Sequence, residues 1–360
     1  MRLLLTTVTL LFTFSLVAQS KKEQAHKLTF EAVQKMDAGK IDESIVLLKK
    51  AKKLDPDGMN PIYEMGYAYT MKGEYAKSIK MYQSILDHED VSDRVYVMLG
   101  NAYDYDGKRE EAIQTYEDGL EKFPKSGALH LERGNMYLQQ EDYSNAMFYY
   151  EKGIEVEPTY TSNYYRAANI YFLTDQEIWG MMYAELHILL SPGSERSIEL
   201  SKKLYDCYKD NITATSDTSM QIDFCESILT IDNISDVENL KMPYCTSWGT
   251  AMSLAALQFS DALDIEDIAR IRSSFVKNYF SMGYGESLPN VLYDYRKKIA
   301  DEDLDRIYNY YIVMMGEPDF AREYFEANEA ELDKLSQFLY SEPINISEDN
   351  KLYRKQYAGE

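Results

Sequence analysis

Leu99-Gly100-Asn101-Ala102-Tyr103 has a counterpart 34 residues away on either side: Met65-Gly66-Tyr67-Ala68-Tyr69 before it and Arg133-Gly134-Asn135-Met136-Tyr137 after it. The period runs without insertion from Ala25 to Ser194 and defines five units, 25–58, 59–92, 93–126, 127–160 and 161–194. At the eighth place stand Ala32, Gly66, Gly100, Gly134 and Ala168, and at the twentieth Ser44, Ser78, Ala112, Ala146 and Gly180. Small side chains at two fixed places let two helices approach closely, where a bulky residue would overpack the joint. The eleventh place holds Lys35, Tyr69, Tyr103, Tyr137 and Tyr171, and the twenty-fourth Leu48, Tyr82, Tyr116, Tyr150 and Ala184. Much of the excess of tyrosine, 32 copies, is therefore repeat packing. Gly39, Gly73 and Gly107 mark the turn inside the first three units, a place taken by Glu141 and Asp175 in the last two. Pro56, Pro124, Pro158 and Pro192 stop the second helix of four units, with Asp90 at that place in the other. Each unit is expected to be a helical hairpin.

With Asn101-Ala102-Tyr103 after Leu99-Gly100, and Tyr67-Ala68-Tyr69 after Gly66, the repeat resembles the tetratricopeptide repeat (TPR) family. The resemblance covers residues 25–194, about half the chain. It implies an all-α fold, a right-handed TPR superhelix (an α-solenoid of helical hairpins) whose first helices line a concave face. Units one and five depart furthest, with Lys35 for the aromatic and Gly180 with Ala184 in the second helix. Terminal repeats are atypical because one face meets solvent or a cap.

Outward from the array, Met1-Arg2 precedes an apolar run from Leu3 to Ala18 that ends Ala18-Gln19-Ser20. A positive start, a short apolar core and a small-x-small exit read as a signal peptide over 1–20. The run is short for a membrane span, an uncleaved anchor being the competing view, and no later run is long and apolar enough to cross a bilayer. Five TPR repeats then occupy 21–194. Residues 195–208 keep an apolar helical pattern without the small-residue signature and read as a capping helix. The polar stretch 209–219 reads as a linker, and 220–360 as a C-terminal helical module packing directly on the solenoid's end. Helices are expected there near 219–230, 246–263, 265–281, 286–299, 302–315 and 318–340, with no alternation that suggests strands. Leu292 to Ile299, Tyr308-Asn309-Tyr310-Tyr311 and Phe320 to Phe338 resemble the tail of exported bacterial TPR proteins. That resemblance implies bacterial export, to the periplasm or the cell surface, and leaves three Asn-x-Ser/Thr sequons as chance.

Sixty acidic against 38 basic residues give a net charge of -22. Such a chain repels phosphates and anionic headgroups, which disfavours nucleic-acid and membrane-surface roles. Cys207, Cys225 and Cys245 have no metal spacing. Export would permit one disulfide, and buried free thiols are the preferred reading. Four histidines stand far apart in sequence, with no His-Glu-x-x-His. No nucleophile elbow or phosphate-cradling loop occurs. We therefore expect no catalytic residues, no metal and no cofactor.

The resemblance places the second, fifth, ninth, twelfth and thirteenth residues of each unit on the groove. The ninth place reads Val33, Tyr67, Asn101, Asn135 and Asn169, and three asparagines would pair with the amides of an extended peptide. Tyr63 and Tyr165 stand at the fifth place and Tyr105 at the thirteenth. The lysine set of family members that clamp a terminal carboxylate is missing, so the expected occupant is neutral, aromatic-rich or mildly basic. The function expected is an exported interaction scaffold binding a peptide or partner protein through Asn101, Asn135, Asn169, Tyr63, Tyr67, Tyr105 and Tyr165. A homo-oligomerising assembly element is the alternative, and an unrecognised enzyme in the C-terminal module the second. The expected partner is a protein or peptide of unknown identity, with a homo-oligomer open.

Overall fold

The computed structural model describes residues 21–216, 219–225, 243–257 and 263–357. The expected signal peptide, part of the helix at 219–230 and the end of that at 246–263 lie outside them. The chain divides into two compact units, one ending at Met136 and the other beginning at Tyr137.

The first unit is built of helical hairpins: α1 (21–37) with α2 (Ile41–Leu54), α3 (Met59–Met71) with α4 (Tyr75–Gln83), and α5 (Asp93–Tyr105) with α6 (Arg109–Lys122). α7 (Gly127–Leu138) opens the next and reaches the unit's end. Each joint closes as the small places predict. A Cβ on Gly66 would lie 2.7 Å from Cζ of Tyr82, and one on Gly100 would press still closer on the Tyr116 ring. Tyr82 and Tyr116 are fully buried. Apolar clusters repeat in step, Ala32, Met36, Ile45 and Leu48 against Met65, Ala68 and Tyr69, then Ile62, Ile79 and Tyr82 against Val95, Leu99 and Ala102.

Gly39, Gly73 and Gly107 all take a left-handed φ, between 71° and 74°. Glu141, 34 residues beyond Gly107, holds the same backbone at φ 59° with a side chain that disfavours it. The repeat geometry thus outweighs the residue's own preference. The other irregularity is α4, 9 residues long where α2 and α6 have 14. After it the chain turns through His88, whose Nδ1 accepts from the Asp90 N–H while Nε2 reaches the Asp57 carbonyl at 2.8 Å.

The second unit contains α8 (Tyr143–Val156), α9 (Thr161–Tyr171), α10 (Glu177–Leu190) and α11 (Glu195–Asn211). Every residue of α10 from Ile178 to Ile188 is buried. A helix apolar all round belongs in a core, and the C-terminal helices supply the cover. These are α12 (Tyr244–Ala256), α13 (Ile265–Ser281), the single turn α14 (Tyr284–Ser287), α15 (Val291–Asp301), α16 (Asp305–Val313), α17 (Pro318–Ala327) and α18 (Glu329–Ser341). A buried polar knot joins them to α10. Glu185 accepts from Arg272 at 2.7 Å and from the Tyr308 hydroxyl at 2.7 Å, with Arg296 at 3.8 Å. Arg272 also donates to Asn309 at 2.9 Å. Beyond α18 the chain runs back over α8 and α10. Lys351 donates to the Glu155 carbonyl at 2.6 Å, the Arg354 N–H to the Tyr183 hydroxyl at 2.9 Å, and Tyr357 packs on Tyr244 and Trp179.

Four expectations for this half are corrected. The polar stretch 209–219 is not a plain linker: α11 continues to Asn211, and β1 (Ile212–Ser216) pairs antiparallel with β2 (Ser219–Ile222). Ile212 opposite Ile222 and Thr213 opposite Gln221 make a short β-prone ladder, so residues 219–222 are strand rather than helix. The helix at 318–340 is broken at Asn328, whose side chain donates to the Tyr324 carbonyl at 2.8 Å. Cys225 and Cys245 are joined in a disulfide, and only Cys207 is a buried free thiol. Gln176 bridges to Cys225, which carries the hairpin back onto the start of α10.

Candidate binding groove

The first helix of each hairpin positions the groove places. α3 carries Tyr63 and Tyr67, α5 carries Asn101 and Tyr105, and α7 carries Asn135, all in the first unit. Tyr67, Met71 and Tyr105 are exposed, at 40%, 46% and 58% of their surface, which is high for large apolar side chains. Tyr63 leans on the buried Tyr82 edge-on, with centroids 5.6 Å apart, and Tyr105 on Tyr75 at the same distance. Asn101 and Asn135 are half-buried. Asn101 Oδ1 accepts from the Tyr116 hydroxyl at 2.5 Å, and Asn135 donates to Glu132 at 3.0 Å.

In the second unit Asn169 and Tyr165 lie on α9 and are engaged there. Asn169 donates to the Tyr165 carbonyl at 2.9 Å and accepts from Lys203 of α11. The Tyr165 hydroxyl donates to Glu199 at 2.7 Å, and Arg196 stacks over its ring at 4.8 Å. The capping helix thus occupies the polar atoms that the fifth repeat would offer. The three asparagines therefore differ: Asn101 has its oxygen satisfied from below, and Asn169 has both amide atoms paired inside its own unit.

Charge beside the first unit's groove places is mostly acidic, with Glu64 and Glu132 at the sixth place and Asp104 at the twelfth against Arg94 at the second. Glu64, on α3 beside Tyr63, is half-buried and has no hydrogen bond or ion pair among the described residues. Burial pushes its carboxyl up, and Asp37 at the end of α1 adds to the shift. Burial likewise raises the Tyr105 hydroxyl, followed by the charges of Glu132 and Asp104. Sequence reasoning passed over the sixth place, although Glu64 and Glu132 stand two periods apart there.

No group of three or more His, Cys, Asp or Glu side chains among the described residues is arranged to hold a metal. No helix among them is long and apolar enough to cross a membrane. His130 reaches the Pro124 carbonyl at 3.3 Å and His187 the Thr161 carbonyl at 3.0 Å.

Residues 97–157 match the family model described as tetratricopeptide repeat. The hairpins within that stretch are tetratricopeptide repeats. Solved structures of TPR proteins are similar to the chain over about half its length. A thermophilic TPR protein of Thermus thermophilus is 17% identical, with 50% of this chain and 98% of that one covered and a TM-score of 0.42. PilF of Pseudomonas aeruginosa is 18% identical, with 53% and 87% covered and a TM-score of 0.44. YrrB, described as a TPR protein with an unusual peptide-binding site, is 16% identical, with 52% and 97% covered and a TM-score of 0.35. No curated protein matches the chain.

Proposed function

We propose that the chain is an exported interaction scaffold whose first unit holds an extended peptide, or an extended segment of a partner protein, against the first helices of its TPR hairpins. The observation that carries this reading is the exposed row Tyr67, Met71 and Tyr105 on α3 and α5. Aromatic and methionine side chains left on a soluble surface are the residues from which binding hot spots are made. Half-buried Asn101 and Asn135 supply amide groups beside that row, suited to the backbone of a bound strand. Export rests on the sequence at 1–20, and the binding role does not depend on it.

The test is to pan a displayed library of short random peptides against the full chain and against a Tyr67→Ser/Tyr105→Ser variant. Wild-type protein should enrich a family of sequences that the variant binds at least about tenfold more weakly, roughly 1.4 kcal/mol. Failure to enrich any sequence, or equal binding by the variant, would refute it.

A further inference from the structure

The second unit holds a cavity of about 410 Å³ between the C-terminal end of α10, α15, α16 and α18. Tyr295, Leu335 and Ile344 line it and are buried, so they form its floor. Pro192, Ser336 and Tyr340 line it and are exposed, so they form its rim. The cavity is therefore a pit with a mouth rather than a flat apolar face.

Two independent features mark it as a site. The first is the leucine stripe of α18. Leu332, Leu335 and Leu339 recur at helical spacing on one face, the pattern of a helix seated in a core. Of the 13 residues of α18, however, Leu335 alone is buried. Leu332 and Leu339 stay half-buried and border the cavity. Close packing ordinarily closes a gap of this size beside leucines. The second feature is polar. Tyr311 lines the cavity half-buried, and its hydroxyl bonds to no other described residue. Unlike the hydroxyls of Tyr82, Tyr164 and Tyr310, it is not sealed away from other molecules. The nearby Tyr295 hydroxyl is already engaged, donating to the Glu342 carbonyl at 2.9 Å. Burial pushes the Tyr311 phenol up, so it keeps its proton, and no charged side chain lines the cavity. A phenol can both donate and accept. Apolar concavities of roughly 300–1,000 Å³ with a few convergent polar groups are the places where proteins hold small molecules.

The geometry points to a small-molecule site in this cavity that takes an uncharged apolar molecule with one hydrogen-bonding group. The apolar body lies against the α18 leucines and the polar end meets the Tyr311 hydroxyl. The lining itself excludes ions. A charged ligand would give up its water to leucines and tyrosines with no counter-charge to meet it, and the net charge of -22 repels anions further. The site is independent of the groove, since every residue of it belongs to the second unit.

The experiment titrates the full chain with N-phenylnaphthylamine, an uncharged fluorophore whose single N–H can donate to the Tyr311 oxygen. Its sulfonated analogue, with the same rings and a negative charge, is titrated beside it. Wild type should bind the uncharged dye saturably, one equivalent per chain, and the sulfonate at least about tenfold more weakly. Leu339→Trp puts a larger ring into the cavity, and Ser336→Trp narrows the mouth from an exposed position. Each should weaken the uncharged dye at least about tenfold, and Tyr311→Phe, which keeps the ring and loses the hydroxyl, about threefold. Tyr67→Ser/Tyr105→Ser, in the first unit, should bind it as wild type does. Circular dichroism melts check that each variant is folded, and the surface change Ser336→Trp keeps the test decisive if Leu339→Trp does not fold. Any one of four results would overturn the site: no saturable binding, equal binding of the two dyes, binding unchanged by Tyr311→Phe or by every folded tryptophan variant, or binding lost in Tyr67→Ser/Tyr105→Ser.

Discussion

Replacing Glu185 by Gln should destabilise the second unit more than replacing Arg272 by Met, although Arg272 makes more hydrogen bonds. Among the described residues, Glu185 is the only carboxylate bonded in a knot that holds two guanidiniums, and all three side chains are at most 5% exposed. Arg272 donates to Glu185, to Asn309 at 2.9 Å and to Tyr208 at 3.4 Å. Counting bonds makes Arg272 the keystone, but charge reverses the order. Without Arg272, one carboxylate still faces one guanidinium, Arg296, and keeps the Tyr308 hydroxyl. Losing its neutral partners costs about 1–3 kcal/mol. With Glu185 neutral, two guanidiniums that cannot shed their protons are left in an apolar core. Breaking a buried pair this way costs ~3–5 kcal/mol, a fifth or more of the ~5–15 kcal/mol of a typical domain.

The assay is urea unfolding followed by tryptophan fluorescence. Both tryptophans of the chain, Trp179 and Trp248, are buried in the second unit, so the signal reports that unit alone. At a slope near 2 kcal/mol/M, Glu185→Gln should lower the midpoint by about 2 M and Arg272→Met by about 1 M. The charge argument predicts a pH signature as well. Burial alone would raise the Glu185 carboxyl, but Arg272 and Arg296 more than reverse this and hold it below its ordinary value. A depressed acid stabilises the fold above its unfolded pKa and loses that contribution as pH falls through the folded value. Wild type should therefore lose stability below about pH 4.3, and Glu185→Gln should lose less. A midpoint for Glu185→Gln equal to or above that of Arg272→Met would refute the reasoning.

Four further outcomes follow from other parts of the fold. Gly100→Ala should destabilise the first unit by about 1–3 kcal/mol through collision with Tyr116, and Tyr116→Leu in the same chain should recover part of it, as read by circular dichroism melts. Glu141→Gly, which removes a side chain from a φ of 59°, should stabilise its hairpin by about 1 kcal/mol in the same melts. Glu177, pushed up to about 7 by burial, binds its proton more tightly when folded, so its contribution is full below pH 4.5 and is lost as pH rises toward 7; Glu177→Gln should flatten the stability curve in that window. Removing the disulfide with Cys225→Ala/Cys245→Ala should cost the second unit about 2–4 kcal/mol, and a thiol titration of native wild type should find Cys207 unreactive until the protein unfolds.

The hairpins were legible because their places are filled by sterics. Small residues at Gly66 and Gly100 and rings at Tyr82 and Tyr116 are two halves of one contact, so spacing alone exposes it. The strands at 212–222 were not legible, because two short segments with little alternation carry almost no periodic signal. The disulfide was missed for a similar reason: Cys225 and Cys245 are brought together by tertiary packing that no spacing records. The role of α10 did leave a trace. Apart from Glu185 and His187, its run Ile178 to Ile188 is uncharged and largely apolar on every side, which fits a central helix better than the exposed end of a solenoid. The groove tyrosines were readable by place, whereas the state of each asparagine was not, since it depends on residues such as Tyr116 and Lys203 from other helices.

The same repeat is buried in two different ways. In the fifth repeat the second helix has no exposed polar face from Ile178 to Ile188, and Glu185 and Trp179 lie buried where the C-terminal helices pack. Its first helix correspondingly has its polar groups tied down by Lys203, Glu199 and Arg196. In the second and third repeats the second helices keep an alternation of buried Ser78, Ile79 and Tyr82, or Ala112, Thr115 and Tyr116, with charged positions. Their first helices leave Tyr67, Met71 and Tyr105 in solvent, and the Glu64 carboxylate half-buried without a partner among the described residues. A polar network that is complete stabilises a fold, and one that is incomplete on an exposed face is open to another molecule's donors. That contrast within one repeated motif, rather than the family resemblance, is the argument for binding on the first unit.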